Sequence, residues 1–278
     1  MLQAALYKYL RGECDTVVKA YTHLQQAPGD ANAIHALRVS GKKIRAFFAL
    51  VAQLPEYTFH PGKDLRVPKL IQAIGGTSRD THLQEKFLAR QEKSIGWRFS
   101  TAHLLLKNKQ ATTDTLMQAV IKRTAIKKTV DLPENFREAI ADTDSKKSIE
   151  TLLTFIGEQY SHTTLPASNA HHTVWHALRK HMKALYFQLT IMDQVLPASR
   201  GRKQLLQHTK TAGELLGQWH DANALLLFLK DTITSMKKEK MAIPVNAGEL
   251  VKRIQLETKQ LLAQCALHMR QAPVNISW

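Results

Sequence analysis

Cysteine, acidic residues and long apolar runs are all scarce in this chain of 278 residues. The two cysteines, Cys14 and Cys265, are too few for a disulfide framework and are not spaced like zinc ligands. Apolar runs such as Ala224 to Leu229 are far too short to cross a bilayer. The N-terminus lacks the apolar core and the cleavage pattern of a signal peptide. We therefore expect a cytoplasmic protein without a transmembrane segment.

Asp and Glu number only 23, against 39 Lys and Arg, which leaves a formal net charge of +16. A field of that sign attracts polyanions, which include nucleic acid, anionic membrane surfaces and inorganic polymers. Charge alone does not choose among these partners. The apolar fraction of 44% is sufficient to build a core, so the composition excludes global disorder.

Alternating β-branched runs are nearly absent, whereas apolar residues recur at helical spacing along most of the chain, as at Ile44, Phe47, Phe48 and Val51. Pro and Gly lie mainly between these periodic segments. The pattern predicts an all-α fold with long helices and short loops. The predicted helices span roughly 2–26, 31–53, 63–90, 112–129, 146–162, 168–196, 200–230 and 247–270, and further helical structure is open at 90–111.

One basic pattern occurs twice at a constant offset. His35–Arg38 followed by Lys42 matches His176–Arg179 followed by Lys183 (176 − 35 and 183 − 42 both give 141). The same offset relates Lys69, Gly76 and Asp80 to Lys210, Gly217 and Asp221. We interpret this as an internal duplication. It predicts one domain over 1–278, built of halves 1–141 and 146–278 that form two pseudo-symmetric four-helix units packed face to face. The polar segment 142–148 is the expected joint, with Thr143 or Ser145 as a helix cap.

The first copy forms a cationic stripe on one helix face. Its members are His35, Arg38, Lys42 and Arg45. At 100° per residue they fall within about 80° of each other and rise about 15 Å, a row able to contact several phosphates in succession. No acidic residue lies between Asp30 and Glu56, so these cations have no local partner. In the second copy Tyr186 takes the place of Arg45, and we expect weaker anion binding there.

The second repeated motif is Gly76–Asp80, matched by Gly217–Asp221. Lys69 and Lys210 precede the two glycines by about two helical turns and so share their face. A glycine within a helix allows another helix to approach closely or marks a bend. Because each Asp follows so many cations, we expect Asp80 and Asp221 to orient an Arg or Lys.

In order and spacing, these motifs resemble the CHAD domain, the conserved histidine α-helical domain, over roughly 1–270. The carrying residues are the His-x-x-Arg-x-x-x-Lys-x-x-Arg pattern from His35 to Arg45, its partial copy from His176 to Lys183, and the segments 74–80 and 216–221. The resemblance implies two four-helix bundles and binding of inorganic polyphosphate along a central basic groove, in some members at polyphosphate granules. The implied anion contacts are His35, Arg38, Lys42, Arg45, Lys69, Arg79, His176, Arg179, Lys183 and Lys210. The chain departs from the pattern at Tyr186, at His220 where the first half has Arg79, and at Gly41.

The expected function is therefore non-catalytic binding of polyphosphate, with no catalytic residue, cofactor or metal. The alternative is a nucleic-acid binder, because phosphate backbones would use the same cations. Single-strand stacking needs aromatic residues near the groove, yet only 7% of the residues are aromatic, and we expect Trp97, Trp175 and Trp219 in the core or between helices.

Two further readings stay open at this stage. A phosphoanhydride hydrolase, or its accessory subunit, would need carboxylate-held metal, and the Glu-x-Glu-x-Lys signature of triphosphate-hydrolysing tunnel domains is missing. A zinc site at His171, His172 and His176 would have the right spacing for two ligands but has no Glu between them. The oligomeric state is not determined by any of these patterns.

Overall fold

Nine α-helices and no strand make up the part of the chain that the computed structural model describes, residues 2–55, 57–141 and 143–271, which confirms the all-α prediction. The helices are α1 (Leu2–Gln26), α2 (Ala31–Val51), α3 (Arg66–Ile95), α4 (Ser100–Arg123), α5 (Lys127–Ala139), α6 (Ser145–Ser161), α7 (His172–Val195), α8 (Arg200–Lys238) and α9 (Ala247–Arg270). None of these described helices is long and apolar enough to span a membrane.

The largest departure from the predicted helices lies between α3 and the joint. The helix expected at 112–129 begins at Ser100 and ends at Arg123, and the additional helix α5 follows it. Pro133, which we expected between helices, lies inside α5. A proline there removes one backbone hydrogen bond, but Leu132 and Phe136 on either side are fully buried. Burial of this apolar face stabilises the helix enough to outweigh the local preference of proline for positions outside helices.

The cap of α6 is Asp144 rather than Thr143 or Ser145. Its carboxylate accepts hydrogen bonds from the backbone N–H groups of Lys146 at 2.7 Å and Lys147 at 3.0 Å. The Thr143 hydroxyl instead donates to a carbonyl of the preceding segment, and the Ser145 hydroxyl donates to a side chain of α1. The prediction of a Thr or Ser cap was therefore wrong. Asp142, the first residue of the predicted joint, lies outside the described residues.

The apolar core crosses the two sequence halves. Of the two apolar clusters among the described residues, the larger contains Phe47 of α2 together with Trp175 of α7 and Leu216 of α8. The smaller joins Leu88 of α3 to Leu250 of α9. Each half therefore contributes side chains to both clusters. The grouping into two separate four-helix bundles, and the division at 1–141 and 146–278, stay predictions.

The helices that carry the repeated motifs contact one another in a closed ring: α2 packs on α3 and on α7, α7 packs on α8, and α3 packs on α8. The basic stripes lie on α2 and α7, and the Gly-x-x-basic-Asp segments lie on α3 and α8. This arrangement brings both copies of both motifs to one region of the molecule.

Candidate anion-binding site

In the first copy, α2 and α3 run antiparallel and exchange two polar contacts. Arg79 Nη1 donates to His35 Nδ1 at 2.7 Å, since a guanidinium has only donors. Arg38 Nη1 donates to the backbone carbonyl of Gln72 at 2.8 Å. Arg38 is thus oriented by a carbonyl oxygen. The charge of Asp80 also acts on Arg38, without an ion pair within 4.0 Å among the described residues, and the orienting role expected of Asp80 stays a prediction.

The paired glycines of α3 make room for α2. A Cβ on Gly75 would lie 2.8 Å from Ile34 Cγ2, and a Cβ on Gly76 would overlap Arg38 Nη1. The Arg38 guanidinium therefore lies across the α3 backbone at Gly76. Gly41, the unusual glycine of α2, faces the same helix, because a Cβ there would lie 3.3 Å from Gln72 Oε1.

The second copy keeps the register but changes the contacts. His176 of α7 faces His220 of α8, with ring centroids 4.9 Å apart, at the positions that His35 and Arg79 occupy in the first copy. A Cβ on Gly217 would meet no atom within 4 Å, so this glycine does not accommodate an arginine as Gly76 does. Close approach, one of the two roles expected for the repeated glycines, is seen at Gly76 and not at Gly217.

Contact between α2 and α7 merges the two stripes into one group of cations. This basic cluster consists of Arg38, Lys42, Arg45, Arg79, Arg179 and Lys183. Burial lowers the pKa of Lys42 to about 8, with further lowering by the charges of Arg38 and Lys183. Burial likewise lowers the pKa of Arg38 and of Arg179, and Arg79 adds to both effects. These mutual effects place cations from both copies within electrostatic reach of one another.

No carboxylate oxygen lies within 4.0 Å of a side-chain nitrogen of the basic cluster, among residues 2–55, 57–141 and 143–271. Asp80 and Asp221 act only over longer range, where they oppose the lowering of the pKa of Arg179. Arg179 Nε is buried and has no hydrogen-bond partner in the described part of the chain.

Other buried or half-buried cations of this protein are paired. The buried Arg202 lies 3.5 Å from Asp193 Oδ1, and half-buried Lys43 lies 2.7 Å from Glu13 Oε1. An unpaired charge removed from water destabilises the fold, because it loses hydration without gaining a counter-charge. The basic cluster therefore has the electrostatics of a site that an anion would complete.

Three histidines border the basic cluster and are held in their neutral form. Burial, followed by the charge of Arg179, lowers the pKa of His220 to about 4. Burial also lowers the pKa of His35 and of His176. A neutral imidazole can donate one hydrogen bond to a phosphate oxygen without adding to the repulsion. The sequence analysis did not include His220 among the site residues. Its position in the repeat, which is equivalent to that of Arg79, could have identified it.

Two residues of the predicted site, Lys69 and Lys210, lie at the edge of the basic cluster. Lys69 and Lys210 are exposed and lie about 15 Å of helix rise from Arg79 and His220. Continuing the antiparallel register of α2 and α3 sets Lys69 level with Arg45, which is also exposed. Lys210 is level with Tyr186 in the same way. The structure thus joins eight predicted residues around the cluster and leaves the two lysines as an outer extension.

The described part of the chain contains no group of three or more His, Cys, Asp or Glu side chains able to hold a metal ion. Of the histidines considered for zinc, His171 packs against His172 with ring centroids 4.1 Å apart, while His176 faces His220. Trp175 and Trp219 are buried and Trp97 packs partly buried against the smaller apolar cluster, as expected from the sequence.

Comparison with known proteins matches this chain to a family model and to solved structures that include the two below. The model of the CHAD domain family matches residues 10–230. PptA from Streptomyces chartreusis superposes with a TM-score of 0.67 at 14% identity, covering 97% of this chain and 98% of that one. The CHAD domain from the plant Ricinus communis superposes with a TM-score of 0.66 at 14% identity, covering 98% and 93%. At this identity the two structures show a shared fold. No curated protein matches the sequence.

The neutral state of His220 predicts a pH-dependent stability. Its pKa is about 4 in the folded protein, below the unperturbed value of about 6.5. Between these two values the unfolded chain binds the extra proton, so the free energy of unfolding should fall as pH drops from about 6.5 to about 4. One such proton contributes at most about 1.4 kcal/mol per pH unit, less for a half-buried ring. His208 adds a similar effect, since burial lowers its pKa to about 4 as well.

Urea unfolding of the wild type and of His220→Gln across this pH range measures the effect. We expect a shallower dependence in the variant, because glutamine cannot take up the proton. The exposed His60 is the matched control, and His60→Gln should retain the wild-type slope. Identical slopes for the wild type and His220→Gln would contradict the assignment.

Proposed function

The chain belongs to the CHAD domain family, and from this premise we propose that its basic cluster binds inorganic polyphosphate without covalent chemistry. The observation that carries the proposal is the set of half-buried cations from both copies that share one site without a paired carboxylate. An anionic polymer would supply the missing counter-charges and reduce the repulsion among them. Binding of this kind would also suit recruitment to polyphosphate granules.

The geometry favours a slim, densely charged chain. The stripe on α2 rises about 15 Å from His35 to the exposed Arg45, and the exposed Lys69 of α3 lies level with Arg45. Arginine can bind two phosphate oxygens at once, whereas lysine acts as a point charge. Arg38 supports this use because its Nη1 is already fixed on a backbone carbonyl, which reduces the side-chain freedom that binding must remove.

Nucleic acid fits the same site less well. Binding to single strands generally relies on bases stacked upon exposed aromatic rings. Trp175 and Trp219, on the helices of the second copy, are only 2% and 3% exposed. Phosphate contacts alone would remain, and these carry no sequence information.

Charge reversal tests the site and its asymmetry. Arg38→Glu with Lys42→Glu should remove most polyphosphate binding, by more than about tenfold, while helicity is retained. Arg179→Glu with Lys183→Glu should weaken binding less. The physical reason is that the first copy also supplies Arg45 and Arg79, where the second copy has Tyr186 and His220.

Titration calorimetry with long-chain polyphosphate measures these changes, and circular dichroism checks helicity. Lys107→Glu with Lys109→Glu, at exposed positions on α4, is the control because it changes the net charge by the same amount. Retained binding in the first double variant would exclude the site. An equal or larger loss in the second would contradict the asymmetry. Release of inorganic phosphate, measured on the same samples, should stay at background; release dependent on the cluster would contradict a purely binding role.

An uncharged substitution tests the position of Arg38. Gly76→Ala should displace the Arg38 guanidinium, because the new methyl group would occupy its place, and polyphosphate binding should weaken about threefold to tenfold. Gly217→Ala is the matched control, since nothing lies within 4 Å of its added Cβ. Equal affinities for the two variants would show that the contact between Gly76 and Arg38 does not contribute to binding.

A further inference from the structure

Lys42 and Lys43 are adjacent in sequence and differ in chemistry. Lys43 Nζ is paired with Glu13 at 2.7 Å. Lys42 is half-buried on a face of α2 about 100° away, and its Nζ has no carboxylate oxygen within 4.0 Å in the described part of the chain. Burial, with the neighbouring cations, lowers the pKa of Lys42 to about 8. At pH 7 roughly a tenth of its amine is therefore uncharged and able to act as a nucleophile.

The groups that act electrostatically on Lys42 come from three helices of the ring. They are His35, Arg38 and Arg45 on α2, Arg179 and Lys183 on α7, and His220 on α8. The charges of Arg79 and Asp80 on α3 act on Arg38, and that of Asp221 on α8 acts on Lys183. The arginines keep their charge at any physiological pH. The same surroundings that keep the Lys42 amine partly neutral therefore offer fixed cations to a phosphoryl group.

We propose that Lys42 is an acylation site for acyl phosphates, with the arginines of the basic cluster holding the phosphoryl group beside its amine. The Nζ lone pair attacks the carbonyl carbon and an N–C bond forms. The bond between that carbon and the bridging oxygen breaks, and inorganic phosphate leaves with the electron pair. Nζ releases one proton to solvent, and the product is an amide. No oxidant, reductant or metal is required.

Acylation would change the site in a defined way. It replaces the Lys42 ammonium with a neutral amide in the middle of the α2 stripe, so a polyanion loses one counter-charge. This consequence rests on the proposed polyphosphate function, whereas the acylation itself does not. Lys183 is the second candidate, because burial lowers its pKa too, but the carboxylate of Asp221 opposes that lowering. The expected order of reactivity is Lys42, then Lys183, then Lys43.

The first test treats the full chain with acetyl phosphate between pH 6.5 and 9.5 and measures acetylation at each lysine by mass spectrometry. At pH 7.5 Lys42 should react at least about tenfold faster than Lys43. Its rate should rise with pH and level off by about pH 9, where an amine with a pKa of about 8 is mostly neutral. A Lys42 rate no greater than that of Lys43 would overturn the proposal.

An acetylating ester without a phosphoryl group tests whether the arginines contribute to the reaction, because only the nucleophilicity of each lysine then sets its rate. With the ester, the advantage of Lys42 over Lys43 should shrink, because nothing draws the reagent to the arginines. An equal advantage with both reagents would overturn the role given to the basic cluster. Inorganic phosphate, added as a competitor, should slow acetylation of Lys42 by acetyl phosphate and leave Lys43 unaffected.

Long-chain polyphosphate added before the reagent distinguishes this inference from the proposed function. Protection of Lys42 supports both. If Lys42 is acetylated and polyphosphate neither binds nor protects it, the inference stands and the polyphosphate function is contradicted. If polyphosphate binds but Lys42 is not acetylated, the function stands and the inference is contradicted. In a matched pair, polyphosphate binding by Lys43→Arg should fall after treatment, whereas Lys42→Arg should lose a clearly smaller share of its own starting affinity, through the slower reaction of Lys183. A comparable fall in Lys42→Arg would assign the effect to another lysine.

Discussion

Repulsion among half-buried cations where α2 meets α7 is the interaction on which the site depends. The fold holds these helices together through apolar clusters that each draw on both halves of the chain. Those clusters therefore stabilise an arrangement that brings Arg38 and Lys42 towards Arg179 and Lys183 against their mutual repulsion. A ligand that binds only the folded state stabilises it by mass action. An anion bound at the basic cluster would accordingly stabilise the fold through the same side chains.

The two copies have diverged at the contact between the stripe helix and its neighbour. In the first copy Gly76 leaves space for the Arg38 guanidinium, and Arg79 donates to His35. In the second copy two imidazoles face each other at the corresponding place. Replacement of an arginine by a neutral histidine removes one positive charge and relieves part of the crowding around Arg179. The positive potential is thus concentrated on the first copy of the motifs.

Sequence periodicity was sufficient to predict helices and the face of each helix that carries cations, because both depend on spacing within a turn. It could not predict that the charge of Lys183 acts on Lys42, because that proximity depends on the packing of α2 on α7. The same limit explains the missed α5, where burial of Leu132 and Phe136 overrides the proline between them. It also explains why the hydrogen-bond partner of Arg38, a backbone carbonyl of α3, was not predicted. Every residue has a backbone carbonyl, so the sequence does not reveal which one accepts a hydrogen bond. A carboxylate such as that of Asp80 is visible in the sequence.

A competition assay across a salt series tests the central claim most directly. Long-chain polyphosphate, single-stranded DNA and structured RNA compete for the protein at matched phosphate concentration. The account predicts that polyphosphate wins at every salt concentration and stays bound where both nucleic acids are released, because only a slim, densely charged chain reaches the half-buried cations. Equal competition by all three, with affinities that fall together as salt rises, would show a non-specific response to surface charge and contradict the account.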